Sequence, residues 1–477
     1  MNKDIREFLE TYTTALEEST AALFAGAGLS KPAGYVDWKE LLEDVAKDIE
    51  LDVTKETDLV EVAQYHVNEY KGRNKINQIL VQEFNRDAKP TENNRILAEL
   101  PIKTFWTTNY DRLIEMSLES AYKRCDVKIT KENFATTLPN WDAILYKMHG
   151  DISQPHDAVL TKDDYEGYHV KRNIFTTALQ GDLVSKTFLF IGFSFDDPNL
   201  EYVLSRIRIL LGENQRQHYC FMREVHRDGY ETEEEFLYAK IKQQLKINDL
   251  GRFKIKVLLV KEYSEITDTL KQLKSKVKRK NIFISGSAAE YGEWGEARAF
   301  EFASQLSKQI IKQGYNIFTG FGLGIGSCVL AGALDEIYIN KYKRVEDRLI
   351  SRPFPQHTSD PEERKKLWTI HRNEMIENVG YSIFIFGNKM KNGQVVIADG
   401  MEEEFDISIK KGVVPIPIGA TGYTAEALWK KIMDEFDKYI SDTNLKSHYQ
   451  VIGDQTKTNS EIIQSVLAII KHLNKRK

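Results

Sequence analysis

Short apolar runs that end in small or polar residues alternate with helical patterns along the first 200 residues. These runs predict strands at 21–24, 104–108, 143–148 and 187–191. Apolar residues at helical spacing predict helices at 4–17, 38–49, 58–84 and 112–122. Alternating strands and helices are typical of a parallel sheet, so the polar residues after each strand are expected to share one rim.

The same alternation restarts near residue 280. Apolar runs predict strands at 281–284, 315–318, 381–387 and 413–418, and helical spacing predicts helices at 296–313, 362–378, 401–411, 425–439 and 460–473. Lys and Arg fill six of the ten positions 271–280, which we interpret as a solvated helix end and linker rather than a nucleic-acid patch. We therefore predict an α/β protein with two Rossmann-like domains, at 1–275 and 280–477.

Composition narrows the class of protein. The 477 residues carry a net charge of −5, which argues against a protein that coats nucleic acid. Three widely spaced cysteines, Cys125, Cys220 and Cys328, form neither a disulfide framework nor a zinc motif. The acidic N-terminus lacks a signal peptide's apolar core, and no apolar run approaches the ~18 residues of a membrane span. We expect a cytoplasmic protein with no bound metal, nucleic acid or membrane.

The loop after the first strand reads Gly26-Ala27-Gly28-Leu29-Ser30. Glycines let a backbone approach a pyrophosphate closely, and the N–H groups that follow can donate to it. A tight strand-to-helix turn would use the same glycines, so the pattern alone leaves a phosphate cradle and a structural turn both open.

Three later strand ends carry further candidates. Thr107-Thr108-Asn109-Tyr110-Asp111 offers an amide that can orient a ribose hydroxyl or a water, although Asn and Asp also cap helices. His149-Gly150 offers a base, although a lone histidine is more often a core or capping residue. Gly192-Phe193-Ser194 is either a turn or another nucleotide contact.

In this order and at these intervals, the four motifs resemble those of the sirtuin family. The resemblance covers residues 1–270 and implies that NAD+ binds at this rim as a substrate whose nicotinamide–ribose bond is cut. It implies catalytic roles for Asn109, which would hold ribose hydroxyls and a water, and for His149, the general base. It further implies NAD+ contacts or supporting roles at Gly26, Ala27, Gly28, Ser30, Asp37, Thr107, Asp111, Gly192 and Ser194.

The chain departs from deacetylating sirtuins in two places. It lacks their two Cys-x-x-Cys pairs, so no zinc is expected, and residues 31–38 replace their Gly-Ile-Pro-Asp-Phe-Arg segment. Nothing in the sequence supports a channel for an acyl-lysine peptide. Without an acyl acceptor, water would take the ribosyl cation, and the reaction would become NAD+ hydrolysis.

The second half resembles a SLOG domain, in Ser285-Gly286-Ser287, in the glycines between 320 and 326, and in a motif that ends at Glu404. Cytokinin-activating phosphoribohydrolases of this superfamily use an Arg and a Glu around a glycine motif. That motif is broken here, and its loss favours nucleotide binding without catalysis. The resemblance implies a nucleotide-signal site at Gly286, Ser287, Gly322, Gly324, Gly326, Arg372, Lys389, Gly400 and Glu404. We interpret Glu402 and Glu403 as a surface turn.

A sirtuin-like domain followed by a SLOG domain is similar to the effector family of the bacterial Thoeris anti-phage system. That resemblance implies a homotetramer, a functional partner with a TIR domain that makes a cyclic ADP-ribose isomer, and NAD+ depletion once the isomer binds. A protein deacylase, a phosphoribohydrolase and a non-enzymatic nucleotide sensor are the alternatives.

Overall fold

The computed structural model describes residues 2–195, 197–339, 344–355 and 360–475. The chain divides into two compact units, Met1–Lys274 and Ser275–Lys477. Each unit is built on its own parallel sheet, so the predicted α/β class is confirmed. Among the described residues, no helix combines the length and apolar character needed to cross a membrane.

Over its described residues, the sheet of the first unit has seven strands. They are β1 (Ala21–Ala25), β2 (Thr104–Thr107), β3 (Cys125–Lys128), β4 (Ala143–Lys147), β5 (Thr187–Ile191), β6 (His218–Arg223) and β7 (Ile255–Val260). Their order is β3-β4-β2-β1-β5-β6-β7, and every pair is parallel. The apolar runs identified β1, β2, β4 and β5. They missed β3, β6 and β7, in which charged or polar residues such as Asp126, His218 and Lys256 interrupt the pattern.

Burial explains why the apolar runs of β1 and β5 were readable. All five residues of β1 and of β5 are buried, because a central parallel strand is covered on both faces and needs a continuous apolar run. The first helix packs against this sheet through Phe8, Leu9 and Tyr12, and the Tyr12 hydroxyl donates to the Ala22 carbonyl at 2.8 Å.

Helices connect these strands. The α-helices are Lys3–Glu17, Ala27–Ser30, Trp38–Leu41, Glu43–Asp48, Leu59–Tyr70, Asn74–Phe84, Glu92–Glu99, Leu113–Ser120, Lys162–Glu166, Tyr168–Lys171, Asn173–Ser185, Pro198–Leu211, Glu233–Gly251 and Ser264–Lys278. The single helices predicted at 38–49 and 58–84 are wrong, since each is two helices. Lys71, with φ of +53°, ends the first helix of the second pair in the left-handed conformation.

Within the ranges that the structure describes, the second unit has a five-stranded sheet and a hairpin. Its strands are β8 (Asn281–Ser287), β9 (Asn316–Thr319), β10 (Leu349–Ser351), β11 (Tyr381–Phe386), β12 (Asn388–Lys391), β13 (Gln394–Ile397) and β14 (Val414–Pro417). The parallel order is β10-β9-β8-β11-β14, while β12 and β13 pair antiparallel. The sequence pattern identified β8, β9, β11 and β14 but not the short β10 or the hairpin.

The α-helices of this unit pack around a second apolar core. They are Gly295–Lys312, Gly326–Ile339, Val345–Arg348, Pro361–Glu377, Asp399–Lys410, Tyr423–Asp434, Phe436–Tyr439, Lys446–Gly453 and Asn459–Lys475. The helix predicted at 425–439 is again two helices, with the break at Glu435.

Candidate functional site

Four adjacent strands of the first sheet, β4-β2-β1-β5, carry the four candidate loops at their carboxyl ends. Ala25 pairs with both Thr107 and Ile191, so the loops that begin at Gly26 and Gly192 leave the sheet side by side. Thr107 pairs with Lys147. Because Asn109 and His149 each follow these paired residues by two positions, they leave neighbouring strands at the same level.

The Asn109 side chain is buried and held by its amide group. Its Nδ2 donates to the Gly26 carbonyl at 3.0 Å and to Ser30 Oγ at 2.9 Å. The Ser30 hydroxyl in turn donates to Asp111 Oδ2 at 2.7 Å, and Thr107 Oγ1 accepts from the Asn109 backbone N–H at 3.0 Å. Gly26 and Ser30 therefore fix the orientation of the side-chain amide, while Thr107 holds the Asn109 backbone.

Asp111 also has the structural role that its residue type suggested. Its Oδ1 accepts from the Leu113 backbone N–H at 2.9 Å, at the start of the helix Leu113–Ser120. Asp111 therefore satisfies a backbone N–H at the start of this helix, while its second oxygen accepts from Ser30.

The glycines of the first loop are required by the protein's own packing. A Cβ at Gly26 would lie 2.4 Å from the Gly192 carbonyl oxygen, and one at Gly28 would lie 2.9 Å from the Gly192 Cα. Gly192 has a φ of +64°, and a Cβ there would lie 2.2 Å from the Leu29 nitrogen. The backbones of the β1 and β5 loops touch, so the tight-turn interpretation accounts for these glycines without a bound phosphate.

His149 lies against a carboxylate that the sequence analysis did not identify. The imidazole is 2% exposed, and its Nε2 lies 3.0 Å from Asp197 Oδ2. Neither ring nitrogen meets hydrogen-bond geometry with a described residue, and Nδ1, unlike Nε2, also has no described carboxylate within ion-pair distance. An unpartnered buried nitrogen at a strand end is available to a ligand.

Asp197 is held in place from two sides. Its Oδ1 accepts from the Leu200 backbone N–H at 2.9 Å and so caps the helix Pro198–Leu211, and its Oδ2 accepts from the Tyr165 hydroxyl at 3.3 Å. Burial would raise the pKa of the Asp197 carboxyl, but the His149 imidazole and these donors hold the pKa below its usual value. The one sequence signal for Asp197 was its position before Pro198, which is typical of a helix start.

Two of the predicted NAD+ contacts lie outside this network. Asp37 caps the helix Trp38–Leu41 through a capping box and pairs with Lys31 Nζ at 2.6 Å, contacts that account for Asp37 without a ligand. Ser194 is exposed in the β5 loop.

The rim of the second sheet also brings glycine loops into backbone contact. A Cβ at Gly322 would lie 1.7 Å from the Gly286 carbonyl oxygen, and one at Gly324 would lie 1.9 Å from the Ala288 carbonyl oxygen. The Ala288 N–H donates to the Leu323 carbonyl at 2.9 Å, and Gly326 begins the next helix. The loop after β9 is thereby fixed to the loop after β8.

Arg372 and Glu404 meet beside this loop pair. Arg372 Nε lies 3.5 Å from Glu404 Oε1, and Ser285 Oγ donates to Glu404 Oε2 at 2.5 Å. Glu403, which we interpreted as part of a surface turn, is half-buried and has partners: Arg372 Nη1 lies 2.7 Å from Glu403 Oε2, and Thr369 donates to the same carboxylate. Glu402 is exposed, as expected.

Aromatic rings and a glycine complete the surroundings of the Arg372 guanidinium. It lies 5.0 Å from the ring centre of Phe354 and 5.9 Å from that of Trp368, within the range of a cation–π contact. A Cβ at Gly400 would lie 2.5 Å from Arg372 Nη2. Burial raises the pKa of the Glu404 carboxyl, although Ser285 and Arg372 act to lower the pKa. Gly400 thus makes room for a stacked, ion-paired cation.

Lys389 extends this rim from the hairpin. It lies on β12 and forms an ion pair with Asp399, which begins the helix that carries Glu404. The hydrogen bond and charge of Lys389 hold the pKa of the Asp399 carboxyl below its usual value. The buried Asn388 fixes the hairpin, since its Oδ1 accepts from the Ala289 N–H at 2.7 Å and its carbonyl accepts from the Ser287 hydroxyl at 3.1 Å.

Metal chemistry has no candidate site in the ranges that the structure describes, because no three His, Cys, Asp or Glu side chains there form a group that could hold an ion.

Comparison with known proteins matches both halves of the chain. A SIR2-like domain family matches residues 103–243, and the Sir2- and TIR-associating SLOG family matches residues 265–473. The chain is 47% identical to the NAD(+) hydrolase ThsA of Bacillus cereus (strain MSX-D12), over 99% of both chains. It is 48% identical to the NAD(+) hydrolase ThsA of Cytobacillus dafuensis, over 98% of this chain and 96% of that one. The Defense-associated sirtuin 2 of Bacillus subtilis is 26% identical, over 44% of this chain and 21% of its own.

Proposed function

The chain belongs to the family of NAD(+) hydrolases named ThsA, and from this premise we propose that it hydrolyses NAD+ at the rim that holds Asn109 and His149. We assign this reaction to residues 1–275. We assign the binding of a cyclic ADP-ribose isomer, which switches the reaction on, to residues 280–477. NAD+ is consumed as the substrate, and no zinc takes part.

The reaction breaks the bond between the nicotinamide nitrogen and ribose C1′. Nicotinamide leaves as a neutral base with the bonding electron pair, so positive charge develops on the ribose, and water forms the new bond at C1′. The products are nicotinamide, ADP-ribose and one proton. The Asn109 amide, held by Gly26 and Ser30, orients a ribose hydroxyl or the attacking water, and His149 accepts the proton.

The observation that carries this assignment is the buried Nδ1 of His149, which has no hydrogen-bond partner in the part of the chain that the structure describes. Because Asp197 is held in its charged form beside Nε2, the ring proton is favoured on Nε2 and the lone pair on Nδ1. The Asp197 carboxylate also stabilises the imidazolium that forms when Nδ1 accepts a proton. A general base needs this combination of a fixed ring and an available nitrogen.

The second rim supports binding rather than bond cleavage. Arg372 and Lys389, each positioned by a carboxylate, and the backbone groups of the glycine loops are the groups that would contact a nucleotide phosphate. Glu404 already accepts from Ser285 and lies 3.5 Å from Arg372 Nε. A signal can activate the enzyme only by binding the active arrangement more tightly than the resting one. A 100-fold preference corresponds to ~2.7 kcal/mol per site.

This assignment places the chain in a defence circuit. A TIR-domain partner would produce the cyclic ADP-ribose isomer after phage infection, and a homotetramer of this chain would then deplete NAD+ in the infected bacterium. The match to a Sir2- and TIR-associating SLOG family supports the pairing with a TIR protein.

Incubation of the purified full chain with NAD+ tests the proposal. Nicotinamide and ADP-ribose are quantified by chromatography, with and without each cyclic ADP-ribose isomer. We expect equimolar release of both products, strongly stimulated by one isomer. Absence of nicotinamide release under every condition, or release only with an acetyl-lysine peptide, would refute hydrolysis as the function.

A further inference from the structure

A fully buried lysine stands between the two catalytic loops. Lys147 is the last residue of β4 and is 0% exposed. Its Nζ lies 3.3 Å from the Tyr110 carbonyl oxygen, 2.5 Å from the Asp111 carbonyl oxygen and 3.1 Å from Glu115 Oε1. The same ammonium also donates to Asp151 Oδ2. Backbone and side-chain oxygens from three segments thus converge on one cation.

Such an ammonium is a poor way to stabilise a fold. Moving a charge out of water carries a large desolvation cost, and replacing a buried ion pair by apolar side chains is often neutral or stabilising. An apolar residue would also continue the pattern of β4, in which Ala143 and Leu145 are buried. The oxygens that Lys147 holds in place are therefore a better guide to its role than the contribution of Lys147 to the stability of the fold.

Those oxygens belong to the segments that carry the catalytic pair. Tyr110 and Asp111 immediately follow Asn109, and Asp151 follows His149 by two residues. Lys147 is itself paired with Thr107 across the parallel β2–β4 ladder. One ammonium therefore connects the loop after β2 to the loop after β4.

We propose that Lys147 is a positioning residue for NAD+ cleavage, whose ammonium ties the Asn109 loop to the His149 loop and keeps the amide and the imidazole in register. This inference rests on the function proposed above for those two residues. A displacement of ~1 Å in a catalytic group can lower a rate ~100-fold, so a tether between the loops is expected to act on kcat rather than on KM.

The charges around Lys147 support a permanent cation. Burial would lower the pKa of the Lys147 ammonium, but Glu115 and Asp151 raise the pKa above its usual value. The same ammonium holds the pKa of the Asp151 carboxyl below its usual value, against the effect of burial.

The neighbouring strand provides a matched control. Lys128 ends β3 and is 3% exposed, and its Nζ donates to the Asn133 carbonyl at 2.7 Å and the Thr136 carbonyl at 2.6 Å. It also pairs with Asp126 at 2.9 Å. Lys128 is thus a buried strand-end lysine whose partners all lie outside the catalytic loops.

The test compares two charge-balanced double variants of the full chain. Lys147→Met with Glu115→Gln removes the tether and keeps the net charge of the cluster, while Lys128→Met with Asp126→Asn does the same at the control site. Nicotinamide release is measured with each cyclic ADP-ribose isomer, together with amide hydrogen exchange and the thermal midpoint. We expect the Lys147 variant to lose ~100-fold in kcat with KM within ~3-fold, and amides at 109–112 and 149–153 to exchange faster. The Lys128 variant should keep its kcat and its exchange in those segments.

Two results would overturn the proposal: an unchanged kcat in a folded Lys147 variant, or equal losses of kcat in both variants. If the Lys147 variant does not fold, Asp151→Asn decides, with an expected ~10-fold loss of kcat and faster exchange at 149–153; an unchanged kcat there would equally refute the tether.

The wild type separates the two hypotheses. Absence of nicotinamide release from the wild type refutes the proposed function, whereas wild-type turnover with unaffected variants refutes only the role of Lys147.

Discussion

The rims of the two sheets share a contact between glycine loops but differ in the charge of their side chains. In each, a glycine loop touches the backbone of a neighbouring strand end, Gly26 against Gly192 in the first unit and Gly322 against Gly286 in the second. The first rim then carries an uncharged amide and an imidazole whose Nδ1 has no hydrogen-bond partner among the described residues. The second carries a guanidinium between two carboxylates. On the function proposed above, a similar scaffold would serve proton transfer at one rim and charge recognition at the other.

The largest effect is expected at the first rim. Asn109→Ala and His149→Ala should each lower nicotinamide release at least ~1000-fold, because general-base and positioning groups contribute on this scale. Binding of the activating isomer, measured by calorimetry, should be unchanged in both variants. Near-wild-type turnover in either variant would show that the replaced residue has no catalytic role. The proposed difference between the two rims would then be refuted.

Arg372→Ala tests the second rim. We expect isomer binding to weaken ~10- to 100-fold, because charge-assisted hydrogen bonds contribute ~1.5–3 kcal/mol each, and activation should require correspondingly more isomer. Lys365→Ala, at an exposed position of the same helix, is the control. Unchanged activation in Arg372→Ala would place the signal site elsewhere.

A more moderate effect is expected at Asp197. Asp197→Asn keeps the size of the side chain but removes the charge that favours the proton on His149 Nε2. We expect kcat to fall ~10-fold, less than in His149→Ala, with the fold intact because Asn also caps helices. Steady-state nicotinamide release measures this change, and an unchanged kcat would show that His149 needs no partner carboxylate.

The smallest effect on turnover is expected at His218, a buried histidine on β6 that lies outside the catalytic loops. His218 on β6 accepts from the Phe188 N–H at 3.1 Å, and burial lowers its pKa to about 3. Between an unfolded-state pKa of ~6.5 and that value, only the unfolded chain binds the proton. Stability should therefore be complete above pH ~6.5 and fall by ~1.4 kcal/mol per pH unit below it.

The variant His218→Asn isolates this pH dependence. The Asn oxygen can replace the ring nitrogen as acceptor, so the variant should lose less stability than the wild type between pH 7.5 and 5.5 in urea unfolding. Its kcat at pH 7.5 should equal that of the wild type. Parallel stability profiles in the two proteins would contradict the low pKa of His218.

The apolar runs were sufficient to locate the rims. β1, β2 and β5 are buried on both faces, which favours a continuous apolar run, and β4 is apolar up to Lys147 although its residues alternate between buried and half-buried. These four strands and the polar residues that follow them were therefore readable from local pattern alone. The same reasoning located β8 and β11 and the glycines beside them. Strands such as β3, in which Asp126 and Lys128 pair with each other, carry no such signal.

The contacts that give the candidate residues their chemistry came from the fold. Asp197 reaches His149, and the carbonyls of Tyr110 and Asp111 reach Lys147, across 48, 37 and 36 positions of the chain. Glu403 could not be distinguished from Glu402 until the helix that carries them packed one against Arg372. The local pattern of apolar and polar residues reflects the burial of each residue within its own strand or helix. The partner of a buried charge depends instead on which strands become neighbours in the sheet.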